Sequence, residues 1–257
     1  VTVLSAASLF APESFLGVFL IFCRVGACLL VVPGFSSPRV PAQVRLLISL
    51  AVSLALTPLL LPLFQGKLSA QDPGATFGWI VTESLTGLVL GFLGRIYYVV
   101  LETVVNAAAT MVGFGGMPGS VAEGMDPVPA VEAMIMMAAA ALLFAADLHW
   151  ELFRGLIDSY GRIPPGEGIG SQVALVRIVD QVTTAFVLGL RITAPFLVYA
   201  VAVNLAAGFI NKLVPQIPVY FIATPFIMAG GLMLLYLISN EFLMQFVMGY
   251  FDYLRRG

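Results

Sequence analysis

The chain is short of charge. Lys and Arg number 12 and Asp and Glu 14 among 257 residues, so only 10% of positions are charged, against about 25% in a soluble domain. That is too few to wet the surface of a globule of this size. Histidine occurs once, at His149, and cysteine twice, at Cys23 and Cys28. On a helix the two cysteines project about 140° apart, which suits neither a disulfide nor a zinc site; they read as small buried hydrophobes. The basic residues are scattered and the net charge is −2, so a nucleic-acid binder is excluded. No Gly-x-Ser-x-Gly, His-Glu-x-x-His or phosphate-binding Gly-Lys-Ser/Thr loop occurs. Asp147, His149 and Glu151 sit close in sequence, but on a helix His149 turns away from the two carboxylates. No cofactor and no enzymatic chemistry are expected. Arg24 falls inside the first apolar run and no basic residue precedes it, so that run does not read as a signal peptide. What the chain has in excess is apolar side chains, 60% of residues, and the class that remains is an integral membrane protein.

About six apolar stretches are each near or above the roughly 20 residues that a helix needs to cross the hydrocarbon layer. They are far too long for barrel strands, so the expected fold class is all-α in a single membrane-associated domain. The stretches run from about Ser14 to Pro33, Val44 to Phe64, Phe77 to Val112, Val128 to Ala146, Val173 to Ile210 and Val219 to Ser239. Pro33 to Pro41, with Ser36-Ser37-Pro38, reads as a turn, and Gln65 to Gly74, with Lys67 and Asp72, as a wet loop. The third stretch is too long for one perpendicular crossing, so one long helix and a helix pair are both open. Pro195 reads as an interruption of the fifth stretch, and Pro225 lies near the start of the sixth. An organisation into hairpins before and after about residue 127 is expected. The basic residues set no clear orientation.

Several ionisable groups fall inside apolar stretches: Arg24, Glu83, Arg95, Glu102, Asp180 and Arg191. Each costs about 2.5–3.5 kcal/mol at the centre of a membrane helix. Pairing between helices or chains, a transport pathway and interfacial snorkelling are the three readings. Glu83, Gly87, Gly91, Gly94, Arg95, Glu102 and Asn106 fall within about 140° of one helical face, which should meet protein. Glycines in that face admit a neighbouring backbone. The stretch Gly113-Phe114-Gly115-Gly116-Met117-Pro118-Gly119-Ser120 cannot be helical throughout. It is either a connector in water or irregular backbone walled by protein.

The run Asn204-Leu205-Ala206-Ala207-Gly208-Phe209-Ile210-Asn211-Lys212-Leu213-Val214-Pro215-Gln216, followed by Pro225 and Gly231, resembles the signature of the FliR family of flagellar export-gate proteins. Arg24 with the turn to Pro41 and Arg45, then Glu83, Gly87 and Gly91, then Asp126-Pro127, continue the resemblance. So do Leu142 to His149 and Ser159 to Gly166. It implies an all-helical structural and gating subunit of a type III protein export apparatus, resembling a FliP-like unit fused to a FliQ-like unit. The implied partners are FliP and FliQ within the gate, FlhA and FlhB beside it, membrane lipid, and the unfolded flagellar proteins that pass. The implied location is the bacterial inner membrane at the flagellar basal body, with helices standing partly on the periplasmic side. By the same resemblance, Gly113, Phe114, Gly115, Gly116, Met117, Pro118 and Gly119 form a pore plug, and Arg24, Glu83, Gly87, Gly91, Arg95, Glu102, Asn204, Pro215 and Gln216 serve helix packing and assembly. The competing reading of the residues alone is a proton- or ion-coupled secondary transporter, for which Pro195 and Pro225 would mark discontinuous helices.

Overall fold

A computed structural model describes residues 12–36, 40–64, 73–114, 118–120 and 128–256. Ser37-Pro38, the loop residues Lys67 and Asp72, the central residues Gly115, Gly116 and Met117, and Asp126-Pro127 lie outside the described residues. Helices make up almost all of the rest, as the apolar runs require: α1 (Pro12–Val31), α2 (Ala42–Leu60) with a 3-10 turn Leu61–Leu63, α3 (Pro73–Met111), α4 (Ala130–Ala145), α5 (Leu148–Arg162), α6 (Ser171–Leu213) and α7 (Val219–Arg256). Between α3 and α4 the strand β1 (Pro118–Ser120) pairs antiparallel with β2 (Val128–Pro129). This small ribbon forms where Gly and Pro forbid a helix.

Five of the helices are long and apolar enough to cross a membrane, and α4 with α5 taken as one broken span makes six, among the described residues. The third apolar stretch is one helix of 39 residues. Neither Pro195 nor Pro225 interrupts its stretch: α6 runs through Pro195 for 43 residues and α7 through Pro225 for 38. A helical proline forfeits one backbone bond, about 3 kcal/mol. On α6 buried Ile192, Thr193, Phe196 and Ala200 flank the proline within the unbroken helix. At 1.5 Å per residue α3, α6 and α7 measure about 58, 64 and 57 Å, each close to twice a hydrocarbon layer.

The chain forms two compact units, interleaved in sequence. The first gathers the residues up to Ile96 with Trp150–Gln181, and the second Tyr97–His149 with Val182–Arg256. In the first unit α1 packs along α2, and Leu20, Ile21, Val25 and Leu29 of α1 are buried. Phe64 closes one end, its ring 6.2 Å from that of Trp79 and 6.1 Å from that of Tyr160. On α2 the hydroxyls of Ser49, Ser53 and Thr57 each donate to the carbonyl four residues back, which satisfies them without water. In the second unit Tyr97 meets Tyr250 edge to face at 6.1 Å, and Gly189 lets α6 close on Val100 and Val104 of α3.

Candidate functional site

The first unit is organised around one buried ion pair. Arg24 on α1 and Glu83 on α3 are both fully buried. The Arg24 Nε donates to Glu83 Oε2 at 2.7 Å and Nη2 to Oε1 at 3.1 Å, a bidentate geometry that suits guanidinium and carboxylate. Both Nη atoms donate to the Ile163 carbonyl at 3.2 Å, and Nη1 donates to Ser159 Oγ at 3.3 Å. The guanidinium carbon lies 3.9 Å from the centre of the Tyr160 ring, a cation–π contact. The Gly166 amide donates to Glu83 Oε1 at 3.0 Å. The pair therefore ties α1, α3, α5 and the turn after α5 together, with both charges compensated and hydrogen-bonded as a dry interior demands.

Glycines set the spacing. A Cβ on Gly87 would overlap the Arg24 carbonyl, and one on Gly91 would lie 2.5 Å from the Cys28 carbonyl oxygen, so α1 rides on α3 through bare backbone. Gly166 has φ +85°, and a Cβ there would meet the Trp79 ring at 2.9 Å. Glycine is the residue that fits both demands. Thr86 and Tyr160 each keep a buried hydroxyl that makes no hydrogen bond among the described residues.

The polar arc on α3 divides. Glu83, Gly87, Gly91 and Gly94 are buried, whereas Arg95 and Glu102 are exposed and Asn106 is half-buried. The last three lie about 100–140° around the helix from Glu83, on the flank of a buried stripe that continues through Leu101, Val105, Ala108 and Val112. Arg95 donates to Ser36 Oγ at 3.1 Å. Asn106 donates to the carboxylate of Glu132, which is buried on α4.

In the second unit the end of α3 leads into the Gly-rich stretch. Gly113 is exposed with φ +96°, while Phe114 is buried with Ala109, Val112 and Ala200. Phe114 also lines a small apolar pocket of about 20 Å³ with Val105, Val131, Ile135 and Phe196. A Cβ on Gly231 of α7 would run into Val112, so α7 touches the base of this stretch closely. Pro118 and Gly119 belong to β1. Asn204 donates to the carbonyls of Ala200 at 2.8 Å and Met111 at 3.3 Å. Pro215 and Gln216 are exposed in the turn between α6 and α7.

Asp147 departs from the helical reading, because its φ of +55° breaks the chain between α4 and α5. Its carboxylate thereby comes within 4.0 Å of His149 Nε2 instead of sharing a helical face with Glu151. Among the described residues no three His, Cys, Asp or Glu side chains converge as metal ligands. Ser159, Tyr160 and the Ile163 carbonyl escaped sequence reasoning as partners of Arg24. The visible signal was the run Ser159 to Gly166, which carries part of the family resemblance but names no partner.

Long apolar helices, buried charge neutralised inside the protein and glycine-mediated helix contacts define a polytopic helical membrane protein. The pattern of the bacterial export proteins, family 1, matches residues 15–253, and the chain belongs to that family. It is 29% identical to the flagellar biosynthetic protein FliR of Caulobacter vibrioides over 220 residues, 84% of this chain and 85% of that protein. The FliR of Escherichia coli is 25% identical over 221 residues, 82% and 80% of the two chains, and that of Aquifex aeolicus 22% over 233 residues, 88% and 86%.

Proposed function

We propose that this chain is a structural and gating subunit of a flagellar type III export gate in the bacterial inner membrane. In this reading it joins FliP-like and FliQ-like chains to form the conduit for unfolded flagellar proteins, with FlhA and FlhB adjacent. The observation that carries it is the exposed surface of α6. Large apolar side chains from Val173 to Leu213 are exposed along its whole length, about 60 Å at helical rise. A hydrocarbon layer of about 30 Å covers half of that. The other half needs protein, which a gate of several chains supplies. The relatives' names give the flagellar context, and the family name gives export.

Residues 113–119 act as the plug in this reading. Phe114 is anchored in the second unit's core and Gly113 supplies a joint. The transporter reading loses its footing at Glu83, whose oxygens are already taken by Arg24 and the Gly166 amide. The test is to express the chain with and without FliP-like and FliQ-like neighbours, extract it in mild detergent and weigh the intact particles by native mass spectrometry. A hetero-oligomer holding one copy of this chain is expected. A stable particle of this chain alone, indifferent to those neighbours, would refute the proposal.

A further inference from the structure

Two adjacent glycines, Gly230 and Gly231, stand inside the 38-residue helix α7. Each weakens the helix relative to alanine, and glycine pairs are among the recognised sites of sharp bends in long helices. Pro225, shortly before them, lacks the amide that would close on the Phe221 carbonyl. The helix nevertheless runs unbroken through all three residues.

The Tyr199 hydroxyl of α6 fills the place where a Cβ of residue 230 would stand. From there it donates to the Ile227 carbonyl at 2.9 Å. In an α-helix that carbonyl already accepts from the amide four residues on, here Gly231. Ile227 is buried, and its carbonyl thus has one donor from its own helix and a second from α6. While α7 is intact the second is a reserve. If the helix opens at Gly231 the first donor leaves and the hydroxyl stays, so the carbonyl is spared the cost of standing bare. Tyr199 therefore supports the opened helix more than the closed one. The same turn of α7 touches the end of α3 and the residues after it. Val112 occupies the space of the missing side chain at Gly231, and Phe114 comes within 3.5 Å of that Cβ position. Met228 lies 3.6 Å from where a Cβ of Gly113 would stand. The small apolar pocket reaches this spot, with Val112, Phe114, Gly231 and Leu235 in its wall, and gives these side chains room to shift.

We infer that Gly230–Gly231 is a swivel built into α7, that Tyr199 is the residue positioned to let it turn, and that Val112 to Phe114 ride on it. The tip side of α7 stays tied to α6 through Tyr199 and Ile227, while the helix beyond Gly231 turns against it. Turning draws Gly231 away from Val112 and unseats Phe114. The swivel rests on contacts within the second unit, and it holds whether the chain works in a gate or alone.

Hydrogen exchange resolved to single amides reads the opening of the Gly231 amide directly. It is measured on the full chain in dodecylmaltoside, with whatever partners copurify. After correction for intrinsic rates, Gly231 should exchange faster than the amides from Leu234 to Ser239. Tyr199→Phe keeps the ring and removes the reserve donor; it should slow exchange at Gly231 by about tenfold and leave Leu234 to Ser239 unchanged. A hydroxyl acting as an ordinary tie between helices predicts the reverse, so unchanged or faster exchange at Gly231 would overturn the swivel. Gly231→Ala combined with Val112→Ala restores a helix-forming residue without the collision, leaves Tyr199 intact, and guards against a misfolded phenylalanine variant. Exchange at residue 231 should slow there too; undiminished exchange would place the opening elsewhere and refute the proposal. Val112→Cys, in a chain whose Cys23 and Cys28 are replaced by alanine, reports the riding residues. Its thiol should react with N-ethylmaleimide, and adding Tyr199→Phe should slow the reaction by the same factor as the exchange. No reaction, or equal rates in both backgrounds, would overturn the coupling to Val112.

Discussion

Replacing Glu83 by glutamine tests the central contact of the first unit. The carboxylate accepts from Arg24 Nε on one oxygen and from Arg24 Nη2 and the Gly166 amide on the other. A glutamine has one acceptor oxygen. Turned to serve Nη2 and Gly166, it sets its NH₂ against the Nε–H, donor against donor, and leaves a buried guanidinium with no counter-charge. Removing one partner from a buried pair costs about 3–5 kcal/mol, which is roughly two to three and a half decades in the unfolding constant. Reversible unfolding in mixed dodecylmaltoside–SDS micelles measures it. Trp79, one of two tryptophans, packs on Gly166 and reports the site. Combining Glu83→Leu with Arg24→Met should recover part of the loss, because the double variant buries no lone charge; a coupling of about 0.5–3 kcal/mol is the range for side chains in contact. If Glu83→Gln costs less than about 1 kcal/mol, or if the two single changes simply add, the pair is not the dry junction described above.

Gly87→Ala and Gly91→Ala should each destabilise the chain by about 1–3 kcal/mol in the same assay, since backbone carbonyls must give way. Gly161→Ala, where a Cβ meets nothing within 4 Å, should be neutral or stabilising by up to about 1 kcal/mol. Tyr160→Phe removes a buried hydroxyl that has no partner among the described residues and keeps the ring under Arg24; it should gain up to about 1 kcal/mol, whereas Tyr160→Leu should lose stability. Gly231→Ala pushes on Val112 and so on the base of the Gly-rich stretch. In the assembled complex it should raise ion leak across vesicles, and Val112→Ala in the same chain should restore tightness.

Helix content was open to reading because apolar runs of this length admit one solution in lipid. The buried turns of α3 were legible for a related reason: Glu83, Gly87 and Gly91 repeat every four residues, so one charge and two close approaches share a stripe. Arg95, Glu102 and Asn106 were swept into the same arc because 140° is wider than one helix–helix contact. What helical spacing could not supply was the partner. Arg24 is 59 residues from Glu83 and 139 from Ile163, and no local pattern encodes such distances. The prolines misled in the opposite direction. Pro195 carries the local signal of a break, yet the packing on either side of it outweighs one missing hydrogen bond.

The same separation has a consequence for biogenesis. When α1 leaves the ribosome it carries Arg24 into the membrane, while Glu83 is still some 59 residues from being made. Ser159 and the Ile163 carbonyl follow only after 135 and 139 residues. During that interval the first helix is a poor anchor, burdened by an arginine worth about 2.5–3.5 kcal/mol against insertion. It must either wait at the mouth of the insertion machinery or sit with its charge drawn to the surface. The first unit therefore closes late, when the turn through Gly166 arrives. In a nascent chain truncated before Ser159 the thiol of Cys28, buried in the finished unit, should still react with a water-soluble maleimide, and in one extended beyond Gly166 it should not.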